Sequence, residues 1–215
     1  VSSKFILPDL AILDPLLTMD LPANITASTG IDAMVHAIEA FTSVNPNNNP
    51  ISKMLSIEAL KLLGSSIEVA VSDGKNIKAR SNMLLGSMLA GKAFANSPVA
   101  AVHALAYPIG GLFNISHGLS NSLVLPHVLK FNSLNKDTRK NYAYLAPYVF
   151  KELENIKNDE KLCNHFISLL ENLSKKLKLP YRLRDLGIPE EACNSMAKEA
   201  MKQTRLLVNN PCKIE

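Results

Sequence analysis

The segment Thr26–Ser43, TASTGIDAMVHAIEAFTS, limits the possible folds more than any other. Wound at about 100° per residue, it brings Asp32, His36 and Glu39 within about 60° of one another. Ile31, Ala33, Met34, Val35, Ala37, Ile38, Ala40 and Phe41 fill most of the remaining circumference. A surface helix would turn a broad polar face to water; this pattern describes a mostly buried helix with one narrow polar stripe. Buried carboxylate and imidazole groups are costly unless they are paired or coordinate a metal. A partner is therefore expected opposite the stripe.

The rest of the chain reads as further helices. Asp20 followed by Pro22 predicts a helix start, with the opening segment running on to Ser43. Asn45–Pro50 (NPNNNP) is a loop. Ile51–Val71 and Ile77–Ala95 repeat apolar residues at three- and four-residue spacing, and Gly86, Ala90 and Gly91 suit close helix packing. Pro98–Tyr107 predicts another helix, ended by Pro108 and Gly110–Gly111, and Pro189 is expected at a first helical position with Glu190 and Glu191 in the first turn. Only Lys4–Asp14 has strand character, and Pro8 interrupts it. One short strand forms no sheet alone, so the segment should pair poorly or lie extended. The fold class is all-α.

Composition narrows the function. A net charge of +4 without a run of five or six like charges supports neither a nucleic-acid stripe nor a polybasic membrane patch. The longest apolar stretch, roughly Val99–Phe113, is too short for a membrane span and contains His103 and Pro108. Cys163, Cys193 and Cys212 are odd in number and widely spaced, as expected of reduced thiols in a cytoplasmic protein.

A second set of polar residues in an apolar setting lies in Pro98–Asn132. His103 is surrounded by Ala100, Ala101, Ala104 and Ala106, and His117 follows 14 residues later, just before Gly118. Asp32 and His36, at i and i+4, can grip one ion from a helix face, and His103 and His117 can close the site from the other side. Three imidazoles and one carboxylate suit a divalent transition metal such as Fe²⁺ or Zn²⁺. A lone D-x-x-x-H is common on helices, and a lone histidine on an apolar helix is more often a hydrogen-bonded core residue. His127 and His165 are read in that structural way. Glu39 is either a hydrogen-bond acceptor behind the site or an ordinary ion-pair partner, and the ion pair is the expected role.

TGIDAMVHAIEAF and AVHALAYPIGGLFNISHGLSNSLVLPHVLKFN closely resemble the two signature regions of the iron-containing (group III) alcohol dehydrogenases. The likeness extends from LAILDPLLT to the NNP near the end. It implies the multi-helix C-terminal domain of the dehydroquinate synthase-like, iron-containing alcohol dehydrogenase fold. Residues 15–215 would be the helical metal-binding domain, and residues 1–14 a residual strand or linker from a preceding nucleotide-binding domain. The family's metal ligands fall on Asp32, His36, His103 and His117. Phe94 matches a position lining the nicotinamide and substrate cleft. Where many members carry a histidine four residues after the third ligand, this chain has Tyr107, whose hydroxyl can hydrogen-bond in place of an imidazole.

The implied activity is NAD(P)-linked interconversion of a small alcohol and its aldehyde or ketone. It needs Fe²⁺, with Zn²⁺ or Ni²⁺ as competitors, and NAD or NADP held mainly by the N-terminal domain. That domain is the expected partner, and the full-length enzyme is expected to be a homo-oligomer. The chain has no glycine-rich nucleotide-binding segment, so it is expected to bind metal but to show no turnover alone, and to self-associate through apolar surface around Phe94 and Tyr107. Two alternatives stay open: a zinc enzyme of the glycerol dehydrogenase and dehydroquinate synthase type, and a non-catalytic helical metal-binding domain.

Overall fold

Helix α1 (Ala23–Thr42) runs through the middle of the computed structural model, which describes residues 4–6 and 8–215. It packs against α2 (Pro50–Ser72), α3 (Ile77–Asn96), α5 (His117–Asn132) and α6 (Lys136–Val149), and 14 of its 20 residues are buried. α4 (Ala101–Phe113) lies on α5, α8 (Ala192–Met201) and α9 (Thr204–Leu207), while α7 (Asp159–Lys176) covers α5 and α6. The core runs from Ile31, Met34, Val35 and Ile38 on α1 through Leu60, Leu63 and Ile67 on α2 to Phe166 and Leu170 on α7. Among the described residues there is no strand, and no helix is long and apolar enough to cross a membrane.

Asparagine does much of the punctuation. In the NPNNNP loop, Asn48 Nδ2 donates to the carbonyls of Phe41 (3.2 Å) and Ser43 (2.7 Å), which α1 leaves open at its end. Asn49 then starts α2 by accepting from the amides of Ile51 and Ser52. Asn76, Asn135 and Asn158 cap α3, α6 and α7 in the same manner. A buried guanidinium fixes the entry to α1. Arg80 donates to the Gly74 carbonyl, Thr26 Oγ1 and the Leu21 carbonyl.

Several boundaries differ from the sequence reading. Lys4–Ile6 forms a 3₁₀ turn and residues 8–14 contain no strand; Leu7 and residues 1–3 lie outside the described residues. Asp20 does not start α1. Pro22 stands at that position without a side-chain cap, and Asp20 pairs with Lys75 Nζ at 2.5 Å. Pro108 does not stop α4, which continues to Phe113 and closes on Asn114 in the left-handed conformation (φ 59°). An internal proline costs about 3 kcal/mol, but Pro108 and Ile109 are buried against the neighbouring helices, which offsets that loss. Pro189 lies in a turn, and α8 begins three residues later at Ala192.

His127 and His165 are exposed rather than core residues, the latter with Nδ1 2.7 Å from the Lys161 carbonyl. Cys163, Cys193 and Cys212 form no disulfide, and burial pushes the Cys163 thiol up to about 11. Exposed apolar surface also extends beyond the expected region. Phe94 is half-buried and Tyr107 37% exposed, whereas Leu10, Ile12 and Leu17 near the N-terminal end are 76–84% exposed.

Candidate metal centre

Three helices bring the polar residues together. α1 carries Asp32 and His36 one turn apart, α4 presents His103 from its first turn, and α5 begins at His117. One ligand atom from each of the four lies within 4.8 Å of all the others. Asp32 Oδ1 is the hub, 3.9 Å from His36 Nε2, 3.9 Å from His103 Nε2 and 3.7 Å from His117 Nε2. The His36 and His103 rings stack at 4.6 Å between centroids, and His103 and His117 meet at 5.2 Å. His103 is buried, Asp32 and His36 half-buried, and His117 exposed, so the cluster opens to solvent on the His117 side.

The close approach of α5 to α1 depends on Gly118. A Cβ built there would lie 2.4 Å from the Ser28 carbonyl oxygen and 3.3 Å from Asp32 Cβ. Only a residue without a side chain at 118 lets the preceding residue, His117, reach across to Asp32.

The chemistry of the donors fits a divalent cation. Ligand atoms around a four-coordinate ion at 2.0–2.2 Å stand about 3.3–3.6 Å apart, slightly closer than these. His103 Nε2 is buried without a hydrogen-bond partner, which leaves a lone pair directed at nothing else in the protein. Burial, and beside it the His103 ring, hold His36 down at about 4, so its imidazole is neutral near neutral pH, the form that binds metals.

Two further residues brace the cluster. Glu39 is 4% exposed; its Oε1 accepts from the Val102 amide (2.7 Å) and its Oε2 lies 2.6 Å from His103 Nδ1. The expectation of an ordinary ion pair gives way to a carboxylate held between a ring and a helix end. Asn121 is fully buried, with Nδ2 2.5 Å from Asp32 Oδ1 and 3.1 Å from His117 Nε2. Sequence reasoning did not single it out. The available signal was its position four residues after His117, on the same helix face. Phe94 and Tyr107 flank the cluster: the Phe94 ring is 4.7 Å from that of His36, and Tyr107 is 6.1 Å from His117.

A helical domain that gathers three imidazoles and one carboxylate at a solvent-open spot has the donor set of a candidate divalent-metal site. The chain is a member of the iron-containing alcohol dehydrogenase family: residues 26–215 match "Fe-containing alcohol dehydrogenase family, C-terminal". It is 40% identical over 98% of its length to the long-chain-alcohol dehydrogenase 1 of Geobacillus thermodenitrificans (strain NG80-2), covering 52% of that protein. It is 36% identical to the 1,3-propanediol dehydrogenase of Klebsiella pneumoniae, with 94% of this chain and 51% of that one covered.

Among solved structures, a 1,3-propanediol oxidoreductase superposes with a TM-score of 0.87 at 35% identity over 94% of this chain and 51% of that one. A sulfoacetaldehyde reductase from Bifidobacterium kashiwanohense in complex with NAD⁺ superposes with a TM-score of 0.85 at 28% identity, over all of this chain and 53% of that one. The chain thus spans about half the length of the curated relatives it matches.

Proposed function

We propose that this chain is the metal-holding half of an NAD(P)-linked oxidoreductase that interconverts a small alcohol and its aldehyde or ketone. Asp32, His36, His103 and His117 would hold the ion, with Fe²⁺ the expected occupant and Zn²⁺ or Ni²⁺ its competitors. The observation that carries this reading is the convergence of those four ligand atoms, with His103 Nε2 unpartnered among them. The ion, when bound, supplies Lewis acidity that favours loss of the alcohol proton and polarises the product carbonyl.

The protein's own part is positional. Asp32 brings negative charge to the middle of the cluster, and neutral His36 adds a donor without repelling a cation. Phe94 and Tyr107 would form apolar walls for the carbon chain and the nicotinamide, and Tyr107 Oη can hydrogen-bond a substrate oxygen. In this reading residues 15–215 are the metal domain, and residues 1–14 link it to a nucleotide-binding domain that grips NAD or NADP. The dehydrogenase and reductase names of the relatives support the reaction class.

The test is an anaerobic titration of the 215-residue chain with Fe²⁺ and Zn²⁺, followed by assay with ethanol to butanol and saturating NAD⁺, beside a full-length relative. One bound ion and no measurable turnover is the expected result. Holding reactants in place supplies roughly 7–11 kcal/mol of a barrier, and without the nucleotide grip the nicotinamide is not held. Absence of metal binding overturns the site; turnover comparable to the relative overturns the division of labour.

A further inference from the structure

We infer that Glu39 sets the tautomer of the His103 ring, and thereby decides whether His103 offers a lone pair or a proton to the other three residues of the cluster. The inference rests on the four-residue metal site proposed above and assigns a positioning role to a residue outside it.

The argument is a count of donors and acceptors. Two groups converge on the Glu39 side chain: the Val102 N–H at 2.7 Å and His103 Nδ1 at 2.6 Å. Val102 lies in the first turn of α4, where backbone amides have no partner within the helix. The residue before that turn, Ala100, has no side chain able to cap it. The Val102 amide can only donate, so Oε1 must accept. Oε2 is also an acceptor when the group is a carboxylate, and it draws the ring proton to Nδ1. Nε2 is then left as a bare lone pair, matching its buried and unpartnered state beside Asp32. A carboxylate behind a ligating histidine has this effect generally, fixing ring orientation and raising basicity. Here the same carboxylate also seats the start of α4, so helix and ligand are set by one group.

Glutamine at this position separates the two roles. It has the same shape, but its amide accepts at one end and donates at the other. Its oxygen must stay on the Val102 N–H, because turning the amide over would bring two donors face to face. The amide nitrogen then faces His103 Nδ1 and donates to it, which moves the ring proton to Nε2. A protonated Nε2 cannot ligate. Glu39→Gln should therefore keep α4 in place and disable the ligand.

The experiment records long-range ¹H–¹⁵N spectra of the histidine ring nitrogens in the metal-free, ¹⁵N-labelled chain in mildly alkaline buffer. The His103 signal is assigned by its loss in His103→Gln. Zn²⁺ dissociation constants are measured in parallel, and helix content is followed by circular dichroism. The expected result is an Nδ1–H ring in the wild type, and in Glu39→Gln an Nε2–H ring with Zn²⁺ affinity reduced about 10- to 100-fold at unchanged helix content.

A wild-type ring protonated on Nε2 overturns the inference, and does so even when the variant fails to fold. A Glu39→Gln ring that stays protonated on Nδ1, or a variant affinity within about twofold of the wild type, overturns it as well. A wild-type chain that binds no Zn²⁺ removes the four-residue metal site, while the tautomers still decide the role of Glu39.

Discussion

Gly118→Ala is expected to unseat the start of α5 and to weaken divalent-metal binding by at least about tenfold. The added Cβ meets the Ser28 carbonyl oxygen at 2.4 Å and the Ser28 carbonyl carbon at 2.8 Å. Both are backbone atoms of the central helix, so no rotamer change relieves the contact. An ordinary carbon–oxygen approach requires the two helices to part by about 1 Å. His117 is the adjacent residue and moves with them, whereas metal–ligand distances tolerate about 0.2 Å. Overpacking of this kind costs typically 1–3 kcal/mol, partly opposed by the better helix propensity of alanine, up to about 1 kcal/mol. Gly91→Ala is the control: nothing lies within 4 Å of a Cβ there, and the propensity gain should appear alone. Urea melts with and without Zn²⁺ check both variants. A Gly118→Ala chain that melts and binds like the wild type would show that α5 can dock without this close approach.

The second large effect is thermal. At a free Zn²⁺ concentration about a thousand times its dissociation constant, the folded chain should gain about 4 kcal/mol. In a domain of this size that raises the melting temperature by roughly 8–16 °C. A chelator should reverse the shift, and Asp32→Ala should abolish it, because Asp32 Oδ1 is the atom that faces all three histidines. His36, held neutral by burial, needs no deprotonation before it binds. Differential scanning calorimetry with metal, with metal plus chelator, and with the variant measures the effect. A shift of the same size in Asp32→Ala would place the ion elsewhere.

What could be read from the sequence was whatever depends on periodicity and on polar residues in apolar surroundings. The narrow stripe of α1 shows because a helix buried nearly all round leaves little room for polar side chains, and those that remain require a reason. The gathering of Asp32, His36, His103 and His117 followed from that and from the family likeness. The features that escaped depend on three-dimensional neighbours. Pro108 is a stop signal locally, yet the burial of Pro108 and Ile109 outweighs it. Glu39 reads as an ion-pair partner until the amide of Val102, 63 residues away, is seen to need an acceptor. Asn121 lies in a segment of unremarkable polarity, and its meaning comes from an aspartate 89 residues earlier.

The burial of α1 has a consequence in time as well as in space. Amide protons exchange with solvent water when their segment opens, and segments open at very different rates. Along the buried stretch of α1 from Gly30 to Phe41, walled in by four other helices, exchange is expected to wait for the whole domain to come apart. α8 and α9, which bury two residues and one, can open on their own. The four convergent residues therefore differ in permanence. Asp32 and His36 are expected to endure as long as the fold does, and His117, exposed at the first residue of its helix, to come loose first, an order that residue-resolved hydrogen exchange would read.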